Sequence, residues 1–120
     1  LIFMYELIEK KSKFYGYAFS VKNIQDVENI IASLKKEHKK CTHICYAYNL
    51  KNPQVVKMCD DGEPGGTAGK PIYNVIDKKG LSDILVVVVR YFGGVKLGAG
   101  GLVRAYSKCA SGAVEDLLCK

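Results

Sequence analysis

The 120-residue sequence has no apolar run near the ~20 residues that a membrane-spanning helix requires; its longest is Ile84-Leu85-Val86-Val87-Val88-Val89. It also lacks a secretory leader, because Leu1-Ile2-Phe3-Met4 has neither a basic start nor a small-residue cleavage site, and export is not expected. Cysteine is sparse and odd in number: Cys41, Cys45, Cys59, Cys109 and Cys119 make no dense disulfide framework, so reduced thiols and a cytoplasmic location are expected. Acidic residues are the scarcer charge, 12 against 18 Lys and Arg, and the net charge of +6 favours acidic partners such as nucleic acid. No repeat, low-complexity run or linker divides the chain. With 48% hydrophobic and 25% charged residues it is read as one globular domain over residues 1–120. Its first residue is Leu rather than Met, so a fragment or processed chain is expected, and a further domain in the parent protein stays open.

Glycine, by contrast, is abundant and clustered: ten of the twelve fall between Gly62 and Gly101. Glycine reaches positive φ and lets backbone approach closely, at an entropic cost, so its concentration marks special geometry. Around these segments the periodicity is regular. Residues 4–9 and 13–21 read as a strand pair joined by the basic turn Lys10-Lys11-Ser12-Lys13, with Tyr15, Tyr17 and Phe19 on one face. Asn23 caps a helix that carries Asp26 and Glu28 early, buries Val27, Ile30, Ile31 and Leu34, and ends near Lys39. Residues 42–50 alternate, with Ile44, Tyr46, Tyr48 and Leu50 on one face and His43, Cys45 and Ala47 on the other. After Asn52-Pro53, residues 55–59 make a further strand that completes a hairpin over 43–59. A helix from Ala68 to Lys79, an unalternating central strand over 83–92 and a long helix beyond Gly98 follow. The order β-β-α-β-β-α-β-α predicts a two-layer α+β domain, with helices packed on a mixed sheet.

Several familiar chemistries fail on spacing. Residues 64–71 miss a nucleotide P-loop twice, with Pro64 where glycine belongs and Pro71 where the magnesium-binding hydroxyl belongs; Thr67 is free to cap the helix instead. A dinucleotide fingerprint over 98–103 would need its third glycine at Val103. Cys41 and Cys45 stand ~13 Å apart on a regular strand, too far to share a metal or a disulfide. No cofactor and no metal are therefore expected. What remains is a pair of helix-leading glycine turns flanked by cations: Gly66, Gly69 and Lys70 in the first, and Gly98, Gly100, Arg90, Lys96 and Arg104 in or around the second. They read either as a phosphate or RNA cradle or as tight packing with solvated basic side chains. His43 is a strand histidine or an acid-base group, and Asp60, Asp61 and Glu63 are turn caps or paired carboxylates. Lys35, Lys36, Lys39 and Lys40 complement a helix terminus, while Lys10, Lys11 and Lys13 beside Tyr15 and Tyr17 suit either a core strand or the stacking of unpaired bases.

His43-Ile44-Cys45-Tyr46-Ala47-Tyr48, the whole of 60–71 and the whole of 90–106 together resemble the IMPACT family, specifically its N-terminal domain, with Gly65 where the Glu-Pro-Ser-Gly version of that family has serine. The resemblance spans nearly the whole chain. It implies a ribosomal-protein-type fold like domain IV of elongation factor G, and a second, ferredoxin-like domain after this one in bacterial relatives. It also implies translational control in eukaryotic relatives, through competition for an activator of an initiation-factor kinase. Two functions follow as expectations. The first is a binding module that meets RNA, a ribosome-associated surface or a translation-regulatory protein through Lys70, Arg90, Lys96 and Arg104. The second is an enzyme acting on a phosphorylated or peptide-like small molecule through His43 and Asp61.

Overall fold

The computed structural model describes residues 3–119. The elements follow the expected order: β1 (Tyr5–Glu9), β2 (Ser12–Ser20), α1 (Ile24–Glu37), β3 (His43–Leu50), β4 (Val55–Cys59), α2 (Gly69–Lys78), β5 (Ile84–Tyr91) and α3 (Gly98–Leu118). Asn23 caps α1 as its type predicts, its side-chain oxygen accepting from the Asp26 N–H at 2.9 Å. The helix ends at Glu37 rather than Lys39, because His38 has left helical geometry (φ −110°, ψ 56°) to turn its ring into the sheet.

The five strands lie in the order β1-β2-β5-β3-β4. Every pairing is antiparallel, which corrects the mixed sheet expected from sequence. The reason is topological. The crossover β2-α1-β3 leaves a one-strand gap that β5 fills, and the crossover β4-α2-β5 leaves a gap that β3 fills. Each β-α-β unit thus runs its own two strands in the same direction, but no two such strands touch.

Burial explains why β5 shows no alternation. Ile84, Val86 and Val88 join the cluster under α2 and α3, which includes Phe14, Cys45, Ala47, Ile72, Ile76, Leu102 and Tyr106. Leu85, Val87 and Val89 join the cluster under α1, with Tyr17, Val27, Ile31, Leu34, Ile44, Tyr48 and Leu50. A strand apolar on both faces needs cover on both, so the domain has three layers, α1 on one side and α2 with α3 on the other, rather than two. Close approach of α3 to β2 is permitted by Gly16, where a Cβ would sit 2.8 Å from the Cys109 carbonyl oxygen.

Candidate functional site

In the first glycine segment the anion at the start of α2 is the protein's own. Asp60 Oδ1 accepts from the Gly69 N–H at 2.8 Å and the Ala68 N–H at 3.2 Å, and Oδ2 accepts from the Gly66 N–H at 3.0 Å. Burial opposes this charge, but the three donors outweigh it and hold the carboxyl below its ordinary range. The helix start offered to an external phosphate through Gly66, Gly69 and Lys70 is therefore already occupied; Lys70 itself is exposed. Gly69 is a packing glycine, since a Cβ there would lie 2.7 Å from the Cys59 nitrogen. Thr67 does not cap the helix, as its hydroxyl donates to the Pro64 carbonyl at 2.6 Å.

Asp61 also braces backbone. Its Oδ2 accepts from the Ile44 N–H at 2.7 Å, and its carbonyl accepts from His43 Nδ1, likewise at 2.7 Å. His43 thus stands beside the glycine segment, with its ring 3.5 Å from the Cβ position of Gly62, but the Asp61 carboxylate is turned away to the strand. The carbonyl can only accept, so Nδ1 carries the proton and Nε2 faces Glu63 Oε1 at 3.4 Å.

Glu63 anchors an interior polar cluster. Arg90 Nη1 donates to both carboxylate oxygens at 2.8 and 3.1 Å, Arg90 Nη2 donates to Ser12 Oγ at 3.2 Å, and the Tyr106 hydroxyl donates to Glu63 Oε2 at 2.5 Å. The Glu63 and Arg90 side chains are 3% and 6% exposed. The guanidinium is flanked by the Phe14 and Phe92 rings at 5.5 and 5.4 Å, and its Nε has no hydrogen-bond partner among the described residues. Arg90, read from sequence as a surface anion ligand, is thus spent on Glu63. Burial and the negative groups around it push the Tyr106 hydroxyl far above its usual range, and burial does the same to the Cys45 thiol. Both shifts disfavour the ionised, nucleophilic form of these two groups. Tyr106 lies in the long helix expected beyond Gly98 and Ser12 in the expected basic turn, but their partners in this cluster lie 43 and 78 residues away, and no local pattern reports such pairings.

The second glycine segment is built against the β1–β2 turn. Gly93 lies so close to Lys11 that any Cβ would collide with that residue's carbonyl, and the Gly93 N–H donates to Ser12 Oγ at 3.1 Å. In the turn itself Lys10 and Lys11 both have positive φ, 45° and 69°, the pattern of a type I′ hairpin that Asn-Gly fits without strain. Between this turn and the first turns of α3 runs a groove of about 250 Å³, lined by Lys10, Arg104 and Lys108 with Leu97, Gly101 and a single acid, Glu9. Gly98, at φ 75°, opens α3, whose first turn holds no acidic residue and no side-chain cap. The Arg104 guanidinium folds back to within 3.3 Å of the Cβ position of Gly100, and Lys96 is exposed just before Leu97. Of the cations and glycines expected in this segment only Arg104 lines the groove, beside Gly101; Gly98, Gly100, Lys96 and Lys70 do not line it, and Lys10 and Lys108 are members that the spacing of this segment did not indicate. Among the described residues no cluster of three or more His, Cys, Asp or Glu could hold a metal ion, and no helix is long and apolar enough to cross a membrane.

Interlocked β-α-β crossings, an ion-paired interior and a basic rim beside a glycine turn define a small α+β domain whose glycine segments first of all shape backbone. Residues 10–114 match the family model of the Impact N-terminal domain. The chain belongs to the IMPACT family. It is 46% identical over 108 residues to IMPACT family member YvyE of Bacillus subtilis (strain 168), covering 89% of this chain and 50% of that protein. A crystal structure of a hypothetical protein aligns with a TM-score of 0.84 at 35% identity, over 93% of this chain and 57% of the other. The two-domain translational regulator Yih1 aligns with a TM-score of 0.61 at 21% identity, over 90% and 45%, a likeness of fold. The chain spans about half the length of the curated bacterial relatives it matches.

Proposed function

We propose that this domain is a binding module for RNA, on its own or within a ribosome-associated surface, serving a protein that regulates translation. The observation that carries this reading is the convergence of Lys10, Arg104 and Lys108 on one groove against a single acid, Glu9. Cations gathered from two separate elements are positioned for phosphate oxygens, and the uncapped N-terminus of α3 beside them adds N–H donors of the same preference. The strained Lys10-Lys11 turn favours the same reading, because the fold tolerates lysine where a turn residue would fit better. Family membership, and the fold shared with the translational regulator Yih1, agree with it. A catalytic reading through His43 and Asp61 is less well supported, since the Asp61 carboxylate is bound to backbone and Glu63 is neutralised by Arg90.

The test is RNA affinity as a function of salt. Lys96→Glu with Arg104→Glu, and separately Arg104→Glu with Lys108→Glu, should weaken binding and flatten the salt dependence, by about 0.7 in slope for each phosphate of a single strand that is no longer neutralised. Unchanged affinity and slope in both variants would remove the proposal.

A further inference from the structure

A second, larger groove lies on the other side of the Lys10-Lys11 turn. Its volume is about 670 Å³, within the ~300–1,000 Å³ range of small-molecule sites, and it is bounded by β2, the end of α1 and the exit of β5. Its wall is aromatic and fixed. His38, 9% exposed, is held at both ring nitrogens, Nε2 by the Tyr17 hydroxyl at 2.7 Å and Nδ1 by the Tyr91 hydroxyl at 2.6 Å. Tyr15 stacks on that imidazole with centroids 5.9 Å apart and planes 21° apart, and Tyr91 meets Tyr15 edge-on at 5.7 Å. Phe92, at 48% exposure, closes the wall. The rim is basic, with Lys11 and Lys13 against one acid, Glu37.

We propose that this groove holds an unpaired nucleotide of an RNA strand, its base against the aromatic wall and its phosphates at Lys11 and Lys13. The inference rests on the RNA-binding reading above and gives it a substrate class, single-stranded rather than duplex. A base inside a duplex has both faces covered by neighbours and cannot stack on protein rings, whereas a splayed base can. A wall already locked through His38 loses little freedom on binding, which favours recognition. Lys10 and Lys11, consecutive at the turn, line one groove each, so a strand crossing the hairpin tip meets cations on both sides.

The experiment compares a labelled 12-nucleotide RNA of mixed sequence with its blunt duplex, using the wild-type chain, Phe92→Ala, Tyr15→Leu and Arg104→Glu with Lys108→Glu. The groove variants should lose about tenfold in affinity for the single strand, the worth of one stacked base, and keep their duplex affinity and salt slope. Adenosine monophosphate titrated into wild-type protein should shift the His38 and Tyr15 ring resonances, a readout that does not depend on the stability of any variant. Groove variants that bind the single strand like wild type, or that lose both forms equally, overturn this inference, as do ring resonances that do not move. In those cases weakened binding by the Arg104 and Lys108 variant leaves the RNA-binding reading standing. Wild-type protein that binds neither RNA overturns both.

Discussion

Glu63 is the residue on which the interior polar cluster depends. Among the described residues its carboxylate is the one paired with the buried guanidinium of Arg90, and it also accepts from Tyr106, so its removal strands a buried charge as well as breaking hydrogen bonds. Glu63→Ala should therefore cost about 3–5 kcal/mol in chemical denaturation. The double variant Glu63→Gln with Arg90→Met, which removes both charges, should cost distinctly less; equal losses would show that the pair is not the reason. None of this was legible beforehand. Glu63 read as one of three turn carboxylates and Arg90 as a surface cation, since the burial of a charge is decided by a partner 27 residues away and not by its neighbours in sequence. The apolar stripe and the cap of α1 were legible because their partners lie within about one turn, Asn23 with Asp26 and Val27 with Ile31, whereas the cap expected of Thr67 fails because its hydroxyl donates to the Pro64 carbonyl instead.

Among the elements, the β1–β2 hairpin is where residue type and backbone geometry disagree most clearly. A two-residue turn with positive φ at both positions suits Asn-Gly, and this chain has Lys10-Lys11 instead. Lys10→Asn with Lys11→Gly should stabilise the fold by about 1 kcal/mol for each residue relieved, read as a higher midpoint of chemical unfolding, and, on the proposed reading, should also weaken RNA binding and its salt dependence. A variant that gains stability with RNA affinity intact would separate the turn from the proposed interface. The element order came directly from periodicity, and the unalternating run of β5 marked it as a central strand, but the expected two-layer arrangement did not draw from that run the cover on both faces that the two clusters show. Strand neighbours were not announced, because antiparallel insertion of β5 between β2 and β3 is a property of two crossovers together and leaves no mark on any one strand.

For the whole molecule, β5 is shared: its odd and even residues feed separate hydrophobic clusters on opposite faces. The clusters should then melt as one. Leu34→Ala under α1 and Ile72→Ala under α2 should each cost about 2–5 kcal/mol and lower a single transition seen alike by helix and tyrosine signals; two resolved transitions would mean that the faces fold independently. The same arrangement bears on synthesis. The central strand of the sheet is the last to be made, so on a ribosome β2 and β3 emerge with bare inner edges that must wait for residues 84–91 before they can be paired. Closing the sheet is therefore a non-local step that chain order places late, the kind of step that leaves strand edges open to mispairing while it waits.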